Sequence, residues 1–182
     1  MIRRTISTMV GKGSVNHNSR KFKAANVDGE RTHLNIDYCN EPIKQVYHEL
    51  FDEALEKYNA KQTRSDRRIE DYYEKIRSSK QEKPFHELIM QIGNCDDTGA
   101  MTKTGMKARD ALDEYYKCFK ERNPNLYVFS AHLHMDEATP HIHIEFVPFT
   151  TGSKRGMETR VSLKKALVLQ GFTGGTRHET EP

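Results

Sequence analysis

The stretch from Tyr127 to Pro148 constrains this chain more than any other: Tyr-Val-Phe-Ser-Ala-His-Leu-His-Met-Asp-Glu-Ala-Thr-Pro-His-Ile-His-Ile-Glu-Phe-Val-Pro. Successive side chains of a strand point to opposite faces. In the first half Tyr127, Phe129, Ala131 and Leu133 share one face, and Ser130, His132 and His134 share the other. In the second half Ile142, Ile144 and Phe146 share a face opposite His141, His143 and Glu145. Only Met135 to Pro140 joins the two runs, so they read as a hairpin. Pairing them merges the apolar faces into one core and gathers the imidazoles on the opposite surface.

That gathering has a chemical meaning. Two histidines two residues apart on a strand project in parallel, and His134 approaches from the neighbouring strand. Three neutral imidazoles with coordination positions left open suit a catalytic divalent metal. Glu137, in the connection, can add an oxygen ligand or bind a ligated histidine from behind. Asp136 and Thr139 are expected to shape the turn by satisfying nearby backbone groups. His132 is the expected spare, too deep along its strand.

The rest of the chain supplies ordinary elements. Ile2 to Val10 reads as a short strand, and Gly11, Gly13, Asn16 and Asn18 mark a loop. His33 to Ile36 suggests another strand. Asn40 and Pro42 look like the start of a helix carrying Val46, Tyr47, Leu50, Phe51 and Ala54 to about Asn59. A polar helix is expected over Ser65–Ser79, a buried strand over Glu87–Gly93, and an amphipathic helix over Met106–Arg122. Strands are expected over Leu126–His134 and His141–Phe149, and a last helix over Val161–Gln170. Strands interspersed with helices indicate an α+β fold with a central antiparallel sheet of about five strands, flanked by helices. All 182 residues are assigned to one domain.

Composition excludes some classes. Among 35% hydrophobic and 30% charged residues, no window approaches the roughly 18 apolar residues of a membrane span. The first residues lack an apolar run of signal-peptide length, and Cys39, Cys95 and Cys118 read as free thiols of a reducing, cytoplasmic setting. Residues 1–31 carry seven Lys/Arg against two Asp/Glu, and residues 151–182 carry six against three. Basic ends around an acidic middle suit a polyanionic partner.

His134-Met-Asp-Glu-Ala-Thr-Pro-His-Ile-His143 resembles the His-x-Asp-Glu-x-Thr-Pro-His-x-His signature of the Mob/Pre (MobV) plasmid mobilisation relaxases, members of the HUH endonucleases. A second likeness lies in His17-Asn-Ser-Arg20, followed by Arg31-Thr-His-Leu-Asn35. The resemblance covers about residues 1–170, although Pro42 to Arg122 matches only in general layout.

The resemblance implies an HUH relaxase-like fold and a metal-dependent enzyme that nicks one strand of single-stranded or hairpin DNA at a transfer origin. Such an enzyme stays joined to the 5′ phosphate and later reseals the cut. It implies His134, His141 and His143 as metal ligands, manganese or magnesium as the ion, His17 as nucleophile, and Arg20 and Glu137 as its catalytic neighbours. Tyr72, Tyr73, Tyr115 and Tyr116 are alternative nucleophiles, but each falls on a helical apolar stripe and reads as core. Arg3, Arg4, Lys12, Lys21, Lys23, Lys154 and Arg155 are candidate phosphate contacts. Relatives usually extend further, so the chain is expected to be the N-terminal part of a longer protein, with accessory mobilisation proteins as further partners and no membrane contact from this segment. The competing readings are an HUH replication initiator, a water-activating metallohydrolase, and a metal-containing DNA-binding module without catalysis.

Overall fold

The computed structural model describes residues 4–22 and 24–172. The chain divides into two compact units. The first comprises Met1–Asn40, His86–Arg122 and Val128–Phe146; the second comprises Glu41–Phe85, Asn123–Tyr127 and Val147–Pro182.

The first unit is built on an antiparallel sheet. Its strands are β1 (Ile6–Val10), β2 (Ile36–Asn40), β3 (His86–Ile92) and all but the first two residues of β4 (Leu126–His134) and the last four of β5 (His141–Thr150), in the order β1-β3-β5-β4-β2. The short β6 (Arg160–Val161) pairs with the end of β5 in the second unit, making six strands where about five were expected. β5 and β4 lie at the centre, so the histidine segment is sheltered on both sides. On the apolar face Ile142, Ile144, Ala131 and Leu133 are completely buried. α4 (Lys103–Lys117) contributes Ala108, Leu112 and Tyr116 to the core, and α5 (Phe119–Arg122) sets Phe119 against Phe146. The imidazole face is not an open surface: His132 and His134 are almost wholly buried. The N-terminal segment with the short α1 (Val15–Asn18) lies against it, as the contacts described below show.

In the second unit α2 (Ile43–Ala60) buries Val46, Tyr47, Phe51 and Ala54 at helical spacing. Tyr47, Phe51 and the Tyr72 of α3 (Tyr72–Arg77) form an aromatic cluster, with Phe51 and Tyr72 ring centroids 5.0 Å apart. α6 (Leu163–Leu169) starts at Ser162, whose hydroxyl accepts a hydrogen bond from the Lys165 amide.

Several elements depart from expectation for local reasons. The His33–Ile36 strand is a 3-10 turn at Thr32–Leu34 followed by β2, because Thr32 and Asn35 turn their side chains to Asp136. Asn40 ends β2, and Pro42 holds the N-cap position of α2 without a side-chain bond. The Ser65–Ser79 helix is broken. The Asn59 side chain binds both the N–H and the C=O of Ile69, which removes those groups from any helical ladder, and Asp71 then caps the shorter α3. The Met106–Arg122 helix begins earlier because Thr102 caps it, and it divides at Cys118. Among the described residues no helix is long and apolar enough to cross a membrane.

Candidate metal centre

β4 ends in His134, and β5 begins His141-Ile142-His143. One nitrogen from each of the three histidines lies within 4.8 Å of the other two. His134 Nδ1 is 3.4 Å from His141 Nε2. Each ring uses its other nitrogen outward. His134 Nε2 lies 2.8 Å from the Asn18 carbonyl oxygen, and His141 Nδ1 lies 2.9 Å from that of Thr139. His143 Nδ1 lies 2.7 Å from Glu87 Oε1. Carbonyl and carboxylate oxygens only accept, so those nitrogens carry the protons and the remaining lone pairs turn inward.

Electrostatics disfavours a charge on two of the rings, His134 and His141. Burial, reinforced by His141, His143 and the Arg20 cation, pushes His134 down to about 2. Burial and His143 likewise lower His141. Three imidazoles, pre-oriented by their outer hydrogen bonds so that their lone pairs face one another, fit a divalent transition ion. His132 is not among them: its Nδ1 lies 2.6 Å from Asp37, its cross-strand partner, and its Nε2 lies 3.1 Å from Ser130 Oγ.

The N-terminal motif adjoins the triad. The His17 and His134 ring centroids are 6.4 Å apart. His17 Nε2 is 3.4 Å from Arg20 Nη1 and 3.7 Å from Glu137 Oε1. Glu137 Oε1 is also 3.7 Å from His141 Nε2 and accepts from Arg20 Nη2 at 2.9 Å. Thus His17, Arg20 and Glu137 stand together at the edge of the histidine cluster, and Glu137 faces both the rings and His17.

Asp136 does something other than shape its own turn. It is fully buried and accepts from Arg20, Thr32 and Asn35. The bonds from Arg20 and Asn35, with the Arg20 charge, outweigh the upward push of burial and hold its carboxyl at about 2. The Asp136 carbonyl also accepts from the Asp28 amide, so the N-terminal segment holds the connection in place.

Three further residues belong to the site, Asn18, Glu87 and Glu145. The Asn18 amide donates to Glu87 at 2.7 Å and to Glu145 at 3.1 Å. Glu87 accepts in addition from the Gly13 amide, and its hydrogen bonds outweigh burial and keep its carboxyl below the usual range. Glu145 is pushed up by burial and by the neighbouring Glu87. Gly11 lies so close that a Cβ there would stand 1.8 Å from Glu87 Oε2. The available signal was a charged residue opening a strand expected to be buried, since a buried charge requires partners.

Of the candidate phosphate contacts, Arg3 and Lys23 lie outside the described residues. Lys12 and Lys21 are exposed on the first unit, and Arg4 lies 3.8 Å from Asp97. Lys154 and Arg155 line a concavity of about 400 Å³ in the second unit, together with Arg160 and Lys165.

A sequence profile of the Mob/Pre family, described as plasmid recombination enzyme, matches residues 12–170. The chain belongs to the Mob/Pre family. A Mob/Pre relative from Bacillus sp, a plasmid recombination enzyme, is 29% identical over 151 residues, covering 80% of this chain and 32% of the relative. A plasmid recombination enzyme type 2 from Staphylococcus aureus is 30% identical over 151 residues, covering 80% of this chain and 31% of the relative. The chain therefore spans about a third of the length of these curated relatives. A crystal structure of the Mn-bound MobM relaxase domain with plasmid pMV158 oriT DNA is similar at 20% identity and a TM-score of 0.48, covering 89% of this chain and 75% of that one.

Proposed function

We propose that this chain is the nicking and strand-transfer part of a plasmid mobilisation relaxase. The reading rests most on one observation: three imidazoles whose inner nitrogens converge lie beside His17, Arg20 and Glu137. Membership of a family described as plasmid recombination enzymes points the same way. The partner is single-stranded or hairpin DNA of a transfer origin.

His134, His141 and His143 would hold a divalent metal, with Glu137 as a further oxygen donor. Imidazole-rich ligation favours manganese over magnesium. When bound, the ion supplies Lewis-acid stabilisation of charge on the scissile phosphate. The remaining steps fall to the side chains. A lone pair of the His17 ring attacks phosphorus, a P–N bond forms, and the P–O3′ bond breaks. The 3′ oxygen leaves and is protonated to a hydroxyl, while the attacking ring loses its proton. Attack of a 3′ hydroxyl on the phosphoramidate reverses the sequence and reseals the strand. Arg20 keeps Glu137 beside His17, and its guanidinium would add positive charge beside a phosphate bound there.

The test incubates the chain with single-stranded DNA carrying its native nick region and manganese, followed by a denaturing gel. Wild type is expected to carry DNA covalently, and His17→Ala to bind DNA without forming the adduct. Adduct with His17→Ala but none with a Tyr→Phe variant would move the nucleophile to tyrosine. Cleavage without any adduct would make the protein a hydrolase, and binding without cleavage a passive module.

A further inference from the structure

Asn18 is 1% exposed, and both its side-chain amide nitrogen and its backbone oxygen reach into the site. Its two side-chain N–H groups are divided between two carboxylates, Glu87 at 2.7 Å and Glu145 at 3.1 Å. Its backbone oxygen takes the Nε2–H of His134 at 2.8 Å. Glu87 in turn takes the Nδ1–H of His143 at 2.7 Å. One residue therefore touches two of the three histidines, one directly and the other through a single carboxylate. That residue also follows His17 in the chain, within the same helical turn.

The sheet register explains why this bridge is needed. Glu87 on β3 lies directly opposite Glu145 on β5, so two acidic side chains face each other in the interior. Like charges opposite one another are destabilising. An amide that donates once to each separates them and sets the rotamer of Glu87, and Glu87 then reaches diagonally to His143. The Gly13 amide holds the other Glu87 oxygen at 2.7 Å. An Asp at position 18 would add a third acceptor where two donors are required.

We propose that Asn18 is a positioning residue that couples the metal-ligand histidines to the loop carrying His17. The coupling works in both directions: fixing His134 and His143 holds the His17 loop closed, and anchoring that loop aims both rings. Linkage makes the two effects equal in free energy. This inference rests on the reading of the triad as a metal site.

The experiment uses the whole chain and manganese alone, without DNA. Calorimetry is expected to show manganese binding by wild type, weakened about 10- to 100-fold in Asn18→Ala and Asn18→Asp. Trypsin supplies the second readout, because Lys21 is exposed in the loop that follows His17. Manganese should slow cleavage after Lys21 in wild type and leave it unchanged in Asn18→Ala. A residue of merely structural importance would lower the unfolding midpoint yet leave both manganese affinity and metal protection intact, and that result overturns the proposal. If the Asn18 variants do not fold, Glu87→Ala and Glu87→Gln decide. Gln keeps an acceptor for His143 and should retain most of the affinity that Ala loses, whereas equal affinities in the two overturn the proposal. Wild type that binds no manganese overturns the metal reading and this inference together. Wild type that binds while every variant binds equally removes only the coupling.

Discussion

The Arg20 guanidinium grips Asp136 with two nitrogens: Nε lies 2.9 Å from Oδ2, and Nη2 bonds the other oxygen. Both side chains are buried. Arg20 is also the one non-glycine residue with a positive φ, 55°, among those described. Such a backbone costs about 1–3 kcal/mol and persists where the surroundings over-determine it. Here the fork to Asp136, a third bond to Glu137 and a contact with the His17 carbonyl do so. The strained residue is thus the one that brings His17 and Glu137 side by side.

Arg20→Lys is accordingly expected to be a severe substitution. A lysine offers one point charge and cannot reproduce the planar fork. His17 and Glu137 should lose their alignment, and the rate of adduct formation should fall on the order of 10²-fold, as misplacement by an ångström can. Asp136→Ala leaves Arg20, Thr32 and Asn35 without their shared acceptor and should cost about 3 kcal/mol in urea unfolding. A wild-type rate in Arg20→Lys would show that the fork has no catalytic consequence.

Gly11→Ala tests the packing around Glu87. The new Cβ would stand 1.8 Å from Oε2 of a carboxylate already held by Gly13, Asn18 and His143, so the carboxylate cannot swing aside without losing bonds. The expected loss is about 1–3 kcal/mol, as in other overpacked sites, together with weaker manganese binding. Gly152→Ala is the control. Its φ of +70° strains the substitution, but no atom lies within 4 Å of the new Cβ, so stability should fall slightly while manganese affinity stays unchanged.

The alternation of the histidine hairpin was legible, and β4 occupies the expected span while β5 runs one residue further, to Thr150, because side-chain period and burial agree there. The convergence of His134, His141 and His143 follows from the same period. What the sequence hid depends on distant partners. The break before α3 comes from Asn59, ten residues upstream of Ile69, competing for its backbone groups. The roles of Asn18 and Asp136 come from contacts across more than a hundred residues, which no local pattern encodes. Glu87 showed only that it was misplaced in an apolar strand, not what it served.

The tyrosine pairs should prove dispensable for chemistry. Tyr72 is buried among Tyr47 and Phe51, and its hydroxyl accepts from the Val161 amide. Tyr116 stacks on Tyr38 with centroids 4.0 Å apart, and Tyr115 lies under the Arg122 guanidinium at 4.4 Å. Tyr72→Phe should cost about 1 kcal/mol through its lost hydrogen bond, and Tyr115→Phe close to nothing, with adduct formation preserved in both. Loss of adduct in either folded variant would contradict His17 as nucleophile.

The basic concavity of the second unit makes a salt-dependence prediction. If Lys154 and Arg155 each meet one phosphate of a single strand, replacing both by alanine should flatten the plot of log affinity against log salt by about 1.4, at about 0.7 per contact. Manganese affinity should not change. An unaltered slope would remove both residues from the DNA path.

Metal linkage gives the most direct check on the triad. A ligand that binds only the folded state stabilises it by about 2.7 kcal/mol at one hundred times its dissociation constant. For a chain of this size each kcal/mol raises the unfolding midpoint by about 2–4 °C. Saturating manganese should therefore raise the wild-type midpoint by about 5–10 °C, and a chelator should reverse the rise. His141→Ala and His143→Ala each leave two imidazoles and should abolish most of the shift. His132→Ala should lower the midpoint through its lost bond to Asp37 yet keep the full manganese increment, because its nitrogens point to Asp37 and Ser130 rather than into the cluster. An increment that vanished with His132 and survived without His141 would assign the ion to a different set of ligands.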